Sequence, residues 1–277
     1  MQRCVLITGC SSGIGRETAL AFLNEDWDVV ATARDETDIG DLADRGCYTA
    51  SLDVTDWEAV ETVVSETIDD IGRIDCLVNN AGYSQVGALE DIPASRLHRQ
   101  FDVNVYGPHR MTRAVLPHMR RQEDGTIINV SSVMGRVSAP GGGAYAASKF
   151  AMEALSDALR PEVEPHGIDV VVVQAGPVAT NFKRRAGQEL DAIEVSAAYE
   201  GLYGLIEDWR ALGDAGSVSP AAVADAIVNA STATQPNPRY TVGTVAAIAP
   251  LVGLLPASIR DTCYRFLLKA DSMRPRQ

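Results

Sequence analysis

Ser132, Tyr145 and Lys149 lie thirteen and four residues apart along the chain. Tyr145 and Lys149 fall in an otherwise apolar stretch of helical character, and a four-residue spacing puts both side chains on one helical face. A free tyrosine, with a pKa of about 10, is a poor base near neutrality. An adjacent ammonium favours the phenolate and brings proton transfer toward the working pH. Tyr-x-x-x-Lys is a common chance pattern. Here Ser132 follows the apolar run Ile127–Val130, so its hydroxyl is expected at the end of a strand, beside the tyrosine. Ser131 competes for that role, but the spacing to Tyr145 favours Ser132. Such a trio can move a proton to or from a substrate oxygen while a hydroxyl stabilises charge there.

The second constellation is Thr8-Gly9-Cys10-Ser11-Ser12-Gly13-Ile14-Gly15, which follows the first apolar run and leads into a helical pattern expected to open at Arg16. Gly9 permits a tight turn, Gly13 lets the backbone approach a pyrophosphate, and Gly15 allows close helix–strand packing. The helix N-terminus then presents amides and partial positive charge to the phosphates. Asn80-Ala81-Gly82 follows a later strand, and its small residues suit a cofactor floor. The second strand ends in Ala33-Arg34, where a carboxylate would otherwise bind ribose hydroxyls. Arg34 can pair with a 2′-phosphate, and Ser12 can add a hydroxyl donor. NADP(H) is therefore favoured over NAD(H). Two alternatives remain: Arg34 paired with Asp35 or Asp38 on the surface, or Asp35 turned to the ribose.

Positioning these residues requires strands alternating with helices. Val5–Ile7, Asp28–Ala31, Tyr48–Leu52, Cys76–Val78, Thr126–Val130 and Asp169–Val173 are short runs rich in apolar and β-branched residues. Such runs suit strands covered on both faces. Trp57–Asp70 and Ala144–Glu164 have helical length and spacing. The βαβ order predicts a doubly wound parallel sheet in three αβα layers, forming one domain over residues 1–277. Ligands in such sheets bind at the carboxyl ends of the strands.

The joint pattern resembles the short-chain dehydrogenase/reductase family: TGxxxGxG at Thr8–Gly15, Asn79-Asn80-Ala81-Gly82, Asn104, Ser132, Tyr145–Lys149 and Thr180. It spans most of the chain. The wording around Gly9–Gly15 and Asn80–Gly87 looks most like the hydroxysteroid and retinol dehydrogenase branch. The resemblance implies a Rossmann-type fold and hydride transfer between nicotinamide and an apolar ketone or secondary alcohol. It gives Tyr145 the proton transfer, Lys149 the tyrosine pKa and the nicotinamide ribose, Ser132 the substrate oxygen, and Asn104 a water-mediated relay. Asn104 read by itself is a polar helix residue. Asp53-Val54 resembles the family's adenine-contacting pair. Gly176, Val178 and Thr180 would hold the nicotinamide side, although Ala175 replaces the usual proline before Gly176. A homodimer or homotetramer is expected, with contacts through Asn104–Arg121 and Ala144–Glu164.

Composition narrows the classes further. A net charge of −13 argues against nucleic acid, whose phosphates need clustered Lys and Arg. Lys149, Lys183 and Lys269 are the lysines, so 21 of the 24 basic residues are Arg, and Asp outnumbers Glu. This acidic, Lys-poor balance points to adaptation to high salt. Cys4, Cys10, Cys47, Cys76 and Cys263 form no CxxC pair and suit reduced thiols in a cytoplasm. His98, His109, His118 and His166 show no metal-ligand spacing. The N-terminal residues have no leader pattern. Residues 182–219 read as a glycine-interrupted lid. Its basic triplet Lys183-Arg184-Arg185 is a solvated face or a docking point for an anionic carrier, so a ketoacyl-thioester reductase is the alternative activity. A non-catalytic nucleotide-sensing scaffold is the alternative class. Residues 241–270 form an apolar extension, read first as a subunit interface or pocket wall and second as a peripheral membrane contact.

Overall fold

The apolar runs pair in parallel as β1 (Cys4–Thr8), β2 (Asp28–Ala33), β3 (Tyr48–Ser51), β4 (Cys76–Asn79), β5 (Gly125–Ser132), β6 (Ile168–Ala175) and β7 (Arg239–Val242). Their spatial order is β3-β2-β1-β4-β5-β6-β7. This computed structural model describes residues 2–211 and 216–272. Between the strands run α1 (Gly13–Asn24), α2 (Gly40–Ala43), α3 (Trp57–Ile71), α4 (Ala94–Phe101), α5 (Gly107–Gln122) and α6 (Gly143–Val163). After β6 come α7 (Phe182–Asp191), α8 (Glu200–Ala211) and α9 (Pro220–Thr232); α10 (Thr244–Gly253) and α11 (Ala257–Ser272) follow β7.

Successive side chains of a strand point to opposite faces, so each strand feeds two cores. Val5 and Ile7 of β1 pack with Phe22 of α1 and with Val223 and Ile227 of α9. Cys4 and Leu6 pack on the other side with Val60 and Val64 of α3, and with Met111 and Val115 of α5. The runs of the inner strands are continuously apolar because neither face meets water, whereas the edge strand β3 is partly exposed. Winding reverses between β1 and β4, which pair as Val5↔Cys76 to Ile7↔Val78. The crevice beyond their carboxyl ends is where such a sheet binds ligands.

Three elements differ from the sequence expectation. Helix α1 opens at Gly13 rather than Arg16, so Gly13 and Gly15 belong to its first turn. Strand β7 was not predicted; it is four residues long and only half-buried, too short and too polar at Arg239 to show a run. The apolar extension is β7 followed by two helices, α10 and α11, separated at Leu254–Pro256. Among the described residues, no helix is long and apolar enough to cross a membrane.

Candidate active site

Ser132 ends β5, and Tyr145 lies in the first turn of α6, so the intervening loop folds back across the carboxyl edge of the sheet. The Ser132 side chain lies beside the Tyr145 phenol and acts to lower its pKa. It also accepts from the Met134 backbone amide at 3.2 Å, which fixes its rotamer. Ser131 points to the opposite face. It is buried, its Oγ has no partner, and it lies against Gly135 and Glu153. The alternation of the strand thus puts Ser132, not Ser131, beside the tyrosine.

Lys149 lies one turn along α6 and is 4% exposed. Its Nζ donates to the Val130 carbonyl at 2.8 Å and sits 5.8 Å from the Tyr145 ring centroid. Desolvation brings its pKa down to about 8, against the opposing pull of the Glu153 carboxylate. Burial pushes the Tyr145 phenol up to about 12, and the Ser132 side chain opposes that rise. Tyr145 is therefore a neutral phenol at ordinary pH. The expectation that Lys149 brings Tyr145 toward neutrality is not met by the chain alone: the ammonium is turned to Val130, and the cost of burying a phenolate dominates. The Phe182 ring tilts against Tyr145 with centroids 5.7 Å apart, walling the phenol on the α7 side.

Asn104 is fully buried in a π-helical turn, Asp102–Tyr106, between α4 and α5. Such turns are frequent at functional sites. Its Oδ1 accepts from the Tyr83 amide at 2.8 Å, and its Nδ2 donates to the Tyr83 carbonyl at 2.9 Å and to Ser148 Oγ at 3.1 Å. Ser148 in turn donates to the Tyr145 carbonyl at 2.7 Å. Asn104 is thus more than a polar helix residue, since it ties the loop after β4 to the first turn of α6. Gln100 gives the same loop a second tie, donating to the Tyr83 carbonyl at 2.6 Å.

The glycine loop fits a dinucleotide by its clearances. Gly9 has φ +78°, and a Cβ there would lie 2.9 Å from Ala81 Cα. Gly13 has φ +61° and is equally close to the Thr180 methyl. A Cβ on Gly15 would meet Asn80 Nδ2 and the Gly9 carbonyl at 2.4 Å, so its tightest neighbours are the two loops rather than the strand. Asn80 Nδ2 locks these loops together by donating to the carbonyls of Thr8 and Gly9 at 2.9 and 3.0 Å. Ser12 is the N-cap of α1 but makes no capping bond, and no acidic residue occupies the first turn. Its amides and those of Gly13 to Gly15 are left for an anion, as a pyrophosphate requires. Ser11 and Ile14 flank this turn and are partly exposed.

Arg34 is exposed just past β2 and makes no ion pair among the described residues. Asp35 caps the turn that follows, accepting from Thr37 N at 3.0 Å and Thr37 Oγ1 at 2.6 Å, which holds its pKa below the usual carboxylate range. Asp53 is exposed and is likewise engaged by Thr55 at 2.9 and 2.8 Å. Val54 is buried, close beneath Gly107. On the other side of the crevice, Gly176 N donates to Val242 O at 3.0 Å and Val178 bridges Val218. Thr180 Oγ1 accepts from Phe182 N at 3.2 Å.

Residues 182–211 cover the far side through polar contacts. Glu189 of α7 accepts from Arg96 at 2.5 Å and from the Tyr83 hydroxyl at 3.0 Å. The Tyr203 hydroxyl donates to Asp91 at 2.5 Å, and Arg210 pairs with Asp191 at 3.0 Å. Lys183 Nζ lies 4.4 Å from the Trp209 ring centroid, while Arg184 and Arg185 are exposed. Gly213 lies outside the described residues.

The sequence reading missed a buried polar cluster behind Lys149. Glu153 is 4% exposed, accepts from Gln174 Nε2 at 2.7 Å and pairs with Arg239 at 3.0 Å. Its signal was a carboxylate four residues after Lys149 on an inward face. Among the described residues, no His, Cys, Asp and Glu group is arranged to hold a metal ion.

The short chain dehydrogenase family model matches residues 3–191, more than half of the chain. An uncharacterized oxidoreductase of Escherichia coli, YbbO, is 36% identical over 265 residues, covering 94% of this chain and 93% of its own. Bovine retinol dehydrogenase 8 is 38% identical over 202 residues, 69% of this chain and 64% of its own. A short-chain dehydrogenase from Streptomyces avermitilis superposes with a TM-score of 0.81 at 33% identity, covering 99% of both chains. The chain belongs to the short-chain dehydrogenase family and is an oxidoreductase acting on CH–OH groups.

Proposed function

We propose that the chain is an NADP(H)-dependent oxidoreductase for an apolar ketone or secondary alcohol, acting as a carbonyl reductase near neutral pH. The observation that carries this reading is the Tyr145 phenol set at the carboxyl edge of the sheet, between Ser132 at the end of β5 and the buried Lys149. When bound, the nicotinamide supplies the hydride. Tyr145 then donates its proton to the substrate oxygen, and the Ser132 hydroxyl steadies the charge developing there. Lys149 holds the nicotinamide ribose and offsets negative charge left on the phenol. Asn104 positions Ser148 and the Tyr145 backbone. Its side-chain polar atoms are all engaged, so any relay from Asn104 runs through its backbone.

Gly9, Ser11, Ser12, Gly13, Ile14 and Gly15 cradle the pyrophosphate, while Asp53, Val54 and Asn80 to Gly82 line the adenosine side. Gly176, Val178 and Thr180 face the nicotinamide. Arg34 is free to meet a 2′-phosphate, whereas Asp35 is engaged by Thr37, which supports NADP(H) over NAD(H). The fold also accepts NAD: a structural neighbour from Burkholderia phymatum is a complex with NAD. Phe182 and the covering helices support an apolar substrate under a closing lid over residues 182–219, and retinol dehydrogenase 8 is named for such a substrate. Lys183 is engaged at Trp209, which weakens the carrier-docking alternative. Exposed Tyr106, Phe150 and Leu155 support a homodimer or homotetramer. Four buried thiols suit a cytoplasmic setting.

Fluorescence titration with NADPH and NADH, in low and molar salt, tests the reading. NADPH should bind tightly, and Arg34→Ala should weaken it roughly 10- to 100-fold while leaving NADH unchanged. Preference for NADH would overturn the phosphate assignment. Full folding and activity without added salt would remove the high-salt adaptation suggested by the charge of −13.

A further inference from the structure

We propose that Glu153 is a positioning residue for Lys149: a buried carboxylate, held in place by β6 and β7, that supplies negative charge one helical turn behind the ammonium. The proposal rests on the reading of Lys149 given above. Lys149 and Glu153 are spaced i and i+4 on α6, and each is 4% exposed. Residues so spaced share a helical face. Besides Gln174 of β6, the polar and charged groups around them come from three elements. On α6 itself these are Tyr145, Asp157 and Arg160; β5 contributes the Val130 carbonyl and the Ser131 hydroxyl, and β7 contributes Arg239.

The carboxylate is fixed from two sides. Gln174 of β6 donates to Oε1 at 2.7 Å, and Arg239 Nε of β7 donates to Oε2 at 3.0 Å. A Cβ on Gly135 would lie 3.0 Å from Glu153 Cγ, so the turn after Ser132 closes directly onto this side chain. Arg239 does not neutralise Glu153 fully. Its NH2 gives both of its contacts, 2.7 and 2.6 Å, to the two oxygens of Asp157. The guanidinium is shared by two carboxylates, and Asp157 also takes Arg160 at 3.0 Å, so the Nε–H contact is the one Glu153 receives from Arg239. An unpaired ammonium buried to this degree would tend to lose its proton. Glu153 opposes that loss, as the direction of its effect on Lys149 indicates. Strand β7 thereby bears on the chemistry, since its Arg239 orients the carboxylate that supports the lysine.

The chain has three lysines, Lys149, Lys183 and Lys269. Selective 13Cε-lysine NMR on a Lys183→Arg/Lys269→Arg background therefore reads Lys149 alone, without any need for turnover. Glu153→Gln should lower the Lys149 titration midpoint by about one pH unit. Asp157→Asn provides a second test in a half-exposed position. It leaves Arg239 wholly to Glu153 and should move the midpoint in the same direction by a smaller amount. An unchanged or raised midpoint in folded Glu153→Gln, or a raised midpoint in Asp157→Asn, would overturn the proposal. In the parallel pH profile of carbonyl reduction, the same downward displacement should appear in kcat. Midpoints that move as expected in a protein that reduces no carbonyl compound would leave the positioning role intact and remove the proposed activity instead.

Discussion

Gly13 and Thr180 approach so closely that a Cβ on the glycine would lie 2.9 Å from the threonine methyl carbon. The phosphate-side loop and the loop after β6, far apart in sequence, are thus in contact across the crevice. Gly13→Ala combines this clash with a backbone at φ +61°. It should cost about 1–2 kcal/mol of stability or more and weaken NADPH binding at least tenfold. Gly46→Ala is the control: its φ is +104°, but nothing lies within 4 Å of the added atom, so only the backbone strain should appear. Urea titration of both variants measures the difference.

Lys149 also governs a pH dependence of stability. Its pKa is lowered from 10.5 to about 8, so between those values the unfolded chain binds more protons than the folded one. Stability of the cofactor-free protein should therefore rise from pH 8 toward 10.5 and be lowest, on this account, below pH 8. Tyr145 acts in the opposite sense, but only above its ordinary value of 10. Lys149→Met should abolish the rise and make the protein more stable at pH 7, while activity is lost. Denaturant midpoints collected across this pH range check the sign; a fall between pH 8 and 10 in the native protein would contradict it.

Asn104→Ala should destabilise the fold by about 1–3 kcal/mol, because it leaves the part-buried Tyr83 amide without its partner and the Tyr83 carbonyl with Gln100 alone. It should also lower kcat more than it raises KM, since the tie to Ser148 orients Tyr145 rather than the substrate. Thermal unfolding and steady-state kinetics on one preparation separate the two effects.

Glu189 latches α7 to α4 through Arg96 and to the loop after β4 through Tyr83. Glu189→Ala should raise the substrate KM several-fold, with kcat unchanged or increased where lid opening limits turnover. A fall in kcat at constant KM would mean that the latch serves the chemistry directly.

Much of this was legible in the sequence because it is written in local patterns. Continuous apolar runs marked five of the strands, where both faces of the sheet are covered, and the segment Tyr48–Leu52 marked the partly exposed edge strand β3. The glycine loop and the Tyr145–Lys149 spacing marked the two halves of the site. What could not be read were relationships set by tertiary packing. The spacing to Tyr145 favoured Ser132 over Ser131, but the burial of Ser131 against Gly135 followed only once β5 had its register, and the engagement of Asp35 by Thr37 only once the turn after β2 had formed. Strand β7 was hidden by its brevity, and with it the Arg239–Glu153 pair that joins the last strand to the helix carrying the reactive residues. The rise of the Tyr145 pKa in the cofactor-free chain could not be read, because its spacing to Lys149 records proximity but not desolvation.

The most direct test of the central claim is the single-turnover rate of carbonyl reduction by the Tyr145→Phe variant, measured at saturating NADPH against the native protein. The substitution keeps the ring that packs on Phe182 and removes only the proton donor. The account predicts a rate roughly 100- to 10,000-fold lower with NADPH affinity nearly unchanged. A Tyr145→Phe protein that reduces substrate within a few-fold of the native rate would contradict it.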